Sequence, residues 1–542
     1  MGRDVPRRAL LRGFGDGKAG VSNNIYNFAS YNAFMCPYPA GKGRSGVKLR
    51  PMLEKLAKQT AIYGISTIVV RFLSYLLTPF YTRWLGQEEY GVITDIYALI
   101  PFALVVLTMG MESSYFRFAA KADEAGGDVA AAKRRLYATT WGATLVAAAL
   151  FFALVAVSRD GVARLMGEAY VEHPQYVVLA AAIILFDVAA MIPFARLRER
   201  GEAGRYVLLK ALGVCVNVAL AFGFAAAGLY KTSFGVGWVF VANLVASVTT
   251  LAVLLCTTER VRPAVDRRLI VRIFAYSLPL LIGGIAGTAN EFIDRQMIKY
   301  LVPDGAMAQL GIYGAITKIA VVMTLFTQMY RLAAEPFFLA PFRKDEFVES
   351  NAAALKYYVM VSMAIFLGIA IFRDVFALIV GRDFREGIFI LPVVLGANVL
   401  SGVWLNLSFW YKREVKPRFA IYVTFTGLVF TVLFNVALVP RWGYYGAAWA
   451  RFIAEGAMVA VSYALNCRYY PTPYQTGRIA GYVGVGLVLF AASELFVRYG
   501  GTPRAVQYVV DVVLFGLYCL YAVWREKIDV RALVAAMVHR RR

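Results

Sequence analysis

The chain has 542 residues, 60% of them hydrophobic and only 17% charged, with a formal net charge of +23. A soluble protein carries about 25% charged residues and no series of apolar runs of membrane length, so composition excludes a soluble enzyme or scaffold. The basic excess raises nucleic acid as a partner, and its distribution along the chain argues against that.

Residues 1–51 are Gly-rich and basic, without helical periodicity and without an apolar run of signal-peptide length. They contain G-x-G-x-x-G at Gly15/Gly17/Gly20 and at Gly41/Gly43/Gly46. A nucleotide fingerprint needs a strand before it and a helix after it, and neither copy has both. The segment reads as a disordered tail or an over-called start. Met52 opens MLEKLAKQT, a short basic amphipathic stretch that leads into the first apolar run.

From there the apolar residues fall in blocks of about 18–25, the length that crosses a hydrocarbon core of about 30 Å as a helix. Fourteen spans are predicted, near 60–81, 94–113, 138–157, 175–195, 206–228, 236–257, 271–291, 311–330, 354–372, 387–410, 419–439, 445–466, 479–497 and 507–524. The expected fold is therefore an all-α membrane protein. With the N-terminus inside, the inner loops and tails hold about 41 Lys and Arg and the outer loops about 12. This positive-inside bias puts both termini in the cytoplasm and absorbs the basic excess without nucleic acid.

The five cysteines, Cys36, Cys215, Cys256, Cys467 and Cys519, share no metal or redox spacing, and the two histidines, His173 and His539, lie far apart. No cofactor or metal is expected. The tandem acids Glu88 and Glu89 sit in an outer loop of about a dozen residues. That loop has no room for the acceptor-binding domain of a membrane glycosyltransferase.

Two echoes indicate an internal repeat. The run NVAL occurs at Asn217–Leu220 and Asn435–Leu438, each time after a basic turn and an Arg-aromatic pair, Arg205-Tyr206 and Arg418-Phe419. Thr82-Arg83 followed by Tyr90-Gly91 is echoed by Asp294-Arg295 followed by Tyr313-Gly314. The expected organisation is an N-lobe at 52–260, a C-lobe at 261–470 and two further helices with a basic tail at 471–542. The lobes are pseudo-symmetric six-helix bundles of the kind that rock about a central site.

Ionisable residues at membrane depth are expensive and mark cavities or relays. Arg71 lies in the middle of the first span, too deep to snorkel. Asp95 opens the second, Asp187 lies within the fourth, Glu291, Asp294 and Arg295 end the seventh, and Lys318 lies in the eighth. Lys210 is read as snorkelling to the interface. Arg451 and Glu455 are read as a pair along one helix face, and Glu494 and Asp511 as satisfying each other between the last two helices. Gly283, Gly284 and Gly287 read as helix bending or close packing.

The segment from Lys55 to Phe118 ends its first span in P-x-Y-T-R-x-L-G (Pro79, Tyr81, Thr82, Arg83, Leu85, Gly86). It continues with E-Y-G (Glu89, Tyr90, Gly91) and closes its second span with G-M-E and Arg-Phe (Gly110, Met111, Glu112, Arg117, Phe118). These motifs resemble the start of the polysaccharide biosynthesis and export proteins, the lipid-linked oligosaccharide flippases of the multidrug/oligosaccharidyl-lipid/polysaccharide exporter superfamily. The resemblance covers about residues 53–525. It implies a V-shaped pair of bundles with a cationic central cavity in the bacterial inner membrane. The implied substrate is an undecaprenyl-diphosphate-linked glycan, flipped for surface polysaccharide such as the O-antigen of lipopolysaccharide. The implied drive is an ion gradient of H+ or Na+. The implied form is a monomer associated with a glycan polymerase or glycosyltransferases. Arginine suits a diphosphate because its planar fork carries several donors. The candidate substrate-binding residues are accordingly Arg71, Arg83, Arg295 and Lys318, and the candidate ion-coupling acids Asp95, Asp187, Glu291 and Asp294. A cation-coupled drug exporter of the same superfamily is the alternative. A membrane glycan polymerase or ligase is a further one, although the longest outer loops, near 158–174 and 291–310, hold no obvious catalytic set.

Overall fold

The computed structural model describes residue 75 and residues 77–125, 128–339, 344–414, 416–499 and 503–527. Every regular element among them is helical. Among the described residues eleven helices are long and apolar enough to cross a membrane, or twelve if a bent pair of shorter ones is counted as one span. The protein is thus an all-α, multi-pass membrane protein. The first expected span and the two glycine motifs lie outside the described residues.

The chain divides into two compact units, one of residues 1–311 with 415–428, the other of 312–414 with 429–542. The first begins with α1 (Leu77–Trp84) and α2 (Gln87–Thr108). The start of α2 explains one of the tandem acids: Glu89 Oε2 accepts the Gly86 N–H at 2.8 Å, satisfying a backbone donor that the helix leaves open. Glu89 is therefore a helix cap. At the far end, left-handed Met109 and Gly110 (φ 50° and 68°) turn the chain into α3 (Met111–Ala125). A Cβ on Gly110 would sit 3.1 Å from the Ser277 carbonyl, so the glycine of G-M-E is fixed by both its φ and its neighbour.

Next come α4 (Val129–Val157), capped by Asp128 accepting the Ala131 N–H at 3.0 Å, and the short α5 (Arg159–Met166) and α6 (Glu168–Val171). Three spans follow: α7 (Gln175–Glu199), α8 (Ala203–Ala226) and α9 (Gly237–Thr257). The 35-residue α10 (Arg267–Leu301) starts on Asp266, which accepts the Arg268 and Leu269 N–H groups. A core of Met111, Tyr115, Leu136, Tyr137, Trp141, Ile192 and Ile273 knits α3, α4, α7 and α10 together. The sequence repeat places α10 in the C-lobe, whereas the compact unit that holds it is the first, where it packs on α2 and α3. Phe102 stacks on Phe292 at 5.3 Å, and the Arg117 guanidinium lies 4.3 Å over the Tyr276 ring.

α11 (Ala306–Ile319) meets α2 backbone to backbone. A Cβ on Gly91 would lie 2.0 Å from the Met307 carbonyl oxygen, and one on Gly311 2.0 Å from that of Gln87. Small residues alone permit such an approach. α11 and α12 (Val321–Leu339) bend by 51° at their junction.

The second unit continues with α13 (Lys344–Ile371), α14 (Arg373–Ala377), α15 (Leu391–Leu407) and α16 (Phe409–Arg413). α17 (Pro417–Tyr469) is helical over 53 residues apart from Gly443, whose φ of 53° and ψ of −133° break it. A Cβ on Gly446 would lie 2.5 Å from the Leu438 carbonyl oxygen, whereas residues eight apart in a straight helix are about 12 Å apart. The element is therefore a helical hairpin. α18 (Thr476–Tyr499) and α19 (Arg504–Glu526) complete the unit by packing on each other and on α13.

Candidate functional site

An enclosed pair of charges in the first unit lies where the third turn of α2 meets the last two turns of α10 and the short α6. Asp95, only 1% exposed, accepts three hydrogen bonds. Tyr170 Oη donates to Oδ2 at 2.6 Å, Gln296 Nε2 donates to Oδ1 at 2.6 Å, and Lys299 Nζ forms an ion pair with Oδ2. The Lys299 ammonium, its side chain 5% exposed, also lies 4.8 Å from the centre of the Tyr170 ring and 5.2 Å from that of Tyr300. Gln296 and Lys299, three residues apart, share one face of α10. Removing one member of such a pair strands the other charge, at about 3–5 kcal/mol. Beside the pair, the Tyr300 hydroxyl donates to the Leu165 carbonyl at 3.2 Å.

Deeper in the same unit, Ser247 Oγ on α9 donates to Asp187 Oδ1 on α7 at 2.8 Å, and Asn243 Nδ2 on α9 donates to Tyr97 Oη on α2 at 3.1 Å. Lys210 is exposed, with its ammonium 4.2 Å over the Phe194 ring.

The opposite end of the unit is an ion-pair lattice. Glu259 accepts from Arg196 Nη2 at 2.6 Å, from Arg200 Nη2 at 2.7 Å and from Arg134. Asp266 pairs with Arg135, Arg198 with Glu112, and Lys133 with both Glu199 and Asp123. Hydrogen bonds from Arg134 and Arg200 hold the Glu259 carboxyl down at about 2. With Ala264 N–H donating to the Ala138 carbonyl at 3.1 Å, the segment 258–266 is strapped to the start of α4.

The structure distributes the sequence-predicted residues unevenly. It brings Asp95 to α10, the helix that carries Asp294 and Arg295. Asp294 is 2% exposed, and its carboxylate lies 3.9 Å from the Arg295 guanidinium. Arg83 donates to the Pro79 carbonyl at 2.8 Å and is exposed. Asp187 stands apart with Ser247, and Lys318 is an exposed residue of α11 in the second unit. Arg71 and the Glu291 side chain lie outside the described residues.

One expectation is corrected. Glu494 and Asp511 do not satisfy each other: Glu494 pairs bidentately with Arg373 of α14, and Asp511 accepts from Ser493 at 2.6 Å. Two neighbouring carboxylates repel, so each takes a donor of its own. On α17, Glu455 accepts the indole N–H of Trp404 from α15 at 2.8 Å. At Gly287, one of the three glycines read as bending or packing positions, a Cβ would meet nothing within 4 Å.

The sequence reading missed Lys299, Gln296 and Tyr170. Their one visible signal is the i,i+3 spacing of Gln296 and Lys299 at the end of a span.

The model of the "Polysaccharide biosynthesis protein" family matches residues 56–340. The chain belongs to that family. Among curated relatives it is 20% identical over 424 residues to the "Probable low-salt glycan biosynthesis flippase Agl15" of Haloferax volcanii, covering 76% of this chain and 83% of that one. In fold it is similar to the lipid II flippase MurJ in an inward closed conformation, with a TM-score of 0.66 and 11% identity over 86% of this chain and 100% of that one. It is also similar to an inward-facing multidrug resistance MATE family transporter of the MOP superfamily, with a TM-score of 0.60 and 16% identity over 76% of this chain and 98% of that one. The family is thus that of the polysaccharide biosynthesis proteins, and the fold is the one shared by the lipid II flippase and the MATE transporter.

Proposed function

We propose that the protein flips a lipid-linked oligosaccharide, joined to undecaprenol through a diphosphate, from the cytoplasmic to the outer leaflet of the inner membrane. The glycan then serves surface polysaccharide assembly, such as the O-antigen of lipopolysaccharide. What supports this most is the family match over residues 56–340 together with two cationic side chains, Arg295 and Lys299, one turn apart on α10. A doubly ionised linker needs such charge where water is scarce. In this reading Arg71, Arg83, Arg295 and Lys318 offset the diphosphate, and the repeat-related lobes at 52–260 and 261–470 rock about the site. The acids Asp95, Asp187, Glu291 and Asp294 are the candidates for H+ or Na+ coupling.

The positive-inside bias sets the orientation, with both termini cytoplasmic, the Asp95 cluster at the outer end and the Glu259 lattice at the inner end. Reporter fusions at Glu172 report outside and at Val265 inside. The deciding experiment is deletion of the gene, with assay of surface glycan and of the lipid-linked precursor. Loss of surface glycan with precursor accumulating on the inner leaflet is the expected result. Intact surface glycan with increased sensitivity to cationic drugs supports instead the cation-coupled drug exporter, the second reading favoured by the MATE-like fold.

A further inference from the structure

The charges at the outer end of the first unit are arranged so that they cannot simply separate. Asp95 and Lys299 are 204 residues apart in sequence, on two different helices, and their side chains are 1% and 5% exposed. Pulling the helices apart at this end leaves a carboxylate and an ammonium in a region poor in water, each needing a new counterion. The nearest other charges on α10, Asp294 and Arg295, lie 3.9 Å from each other. The remaining groups facing the pair, from α6 and from the end of α10, are the Tyr170 and Tyr300 phenols. On the Asp187 side, α2 presents Tyr97, which is bonded to Asn243.

What could replace each partner follows from the chemistry left behind. Asp95 keeps Tyr170 and Gln296, so a carboxylate, a phenol oxygen and an amide that can turn its carbonyl inward form an oxygen set for a proton or a sodium ion. Lys299 lies four residues after Arg295 on α10, and these two cations on one helix face suit a dianionic phosphate group.

We propose that Asp95–Lys299 is an exchangeable ion pair, opened only when a diphosphate replaces Asp95 at Lys299 and a proton or sodium ion replaces Lys299 at Asp95. This rests on the diphosphate-lipid reading above. It makes the pair the place where substrate and coupling ion become obligatory to each other: neither ligand alone neutralises both released charges.

The test uses the full chain in nanodiscs, with the five cysteines replaced by Ser and spin labels at Leu165→Cys and Asp304→Cys. Both positions are exposed, and they lie just beyond the two elements that hold the pair. Farnesyl diphosphate is the anionic probe, and acid buffer or added sodium chloride supplies the cation. The expected result is that the label distance lengthens only when both are present. In Asp95→Asn the diphosphate alone suffices and binds about tenfold tighter than to the wild type. In Lys299→Met the cation alone suffices and the diphosphate binds about tenfold weaker. The neutral double variant Asp95→Asn/Lys299→Met is expected to open without either ligand, which separates loss of the pair from misfolding. Opening of the wild type by farnesyl diphosphate alone, no opening under any combination, or an unchanged cation requirement in Asp95→Asn overturns the exchange. Opening driven by ethidium and not by farnesyl diphosphate overturns the glycan-lipid reading instead.

Discussion

Lys356, a residue of α13, forms an ion pair with Glu526, the last residue of α19, and neither side chain is more than 5% exposed. Tyr482 of α18 donates to the same carboxylate at 2.6 Å, and Arg478 lies 3.5 Å from it. Near the other end of these helices, Arg373 grips Glu494. The last two helices are thus clasped to the segment carrying α13 and α14 near both ends. Lys356→Met leaves Glu526 buried without its main counterion and is expected to cost about 3–5 kcal/mol, lowering the Tm in detergent sharply. Lys356→Met/Glu526→Gln is expected to recover most of that loss. A single variant no less stable than Arg478→Ala, which touches the exposed side of the cluster, would show that the clasp holds nothing.

The Glu259 lattice predicts a pH dependence. Its carboxyl is held at about 2, below the ordinary 4.5, by the guanidinium groups of Arg134 and Arg200. The stabilisation is therefore fully present above pH 4.5 and is lost as pH falls from there towards 2. Solvent screening at this partly exposed site limits it to about 1 kcal/mol. Glu259→Gln should lower the unfolding free energy at neutral pH by that amount, with a correspondingly lower Tm, and flatten the acid limb of a Tm-against-pH curve. An acid limb identical in wild type and variant would assign it to other carboxylates.

The contact of α2 with α11 predicts a difference between glycines. Gly91→Ala and Gly311→Ala each drive a methyl into a backbone carbonyl and are expected to cost about 1–3 kcal/mol or more, with loss of monodisperse protein on gel filtration. Gly223→Ala, on α8 with nothing within 4 Å of the added Cβ, should be neutral or stabilising by about 0.5–1 kcal/mol.

The proposal that Arg71 offsets the diphosphate predicts that Arg71→Ala abolishes glycan export while the protein still inserts at normal levels. Arg71→Lys should be impaired as well, because an ammonium lacks the fork that grips two phosphate oxygens. Export assayed as surface glycan at matched expression decides this, and normal glycan with Arg71→Ala removes Arg71 from the site.

Much of the fold was legible because lipid imposes a simple rule: apolar runs of span length must be helices. The hairpin at Gly443 appeared as two spans separated by a short turn, and the family motifs marked Gly91 and Gly110 before any neighbour was visible. Local sequence could not supply the partners. Lys299 at a helix end looks like any snorkelling lysine, and its carboxylate lies 204 residues earlier in the chain. Glu494 and Asp511 looked paired because they fall on consecutive helices, while the true partner of Glu494 lies 121 residues upstream, in the short α14. The motif E-Y-G displays its glycine without the reason for it, the Met307 carbonyl.

The clasp between Lys356 and Glu526 also has a temporal side. The two residues are separated by 170 positions, so a ribosome adding about 5–20 residues per second delivers the carboxylate roughly 10–35 s after the lysine. Through that interval α13 carries a cation at membrane depth without the partner it has in the finished protein. Chains ending before residue 526 keep it that way for good. The clasp therefore closes only once the final turn of α19 has been made, which makes it among the last contacts the growing chain can form.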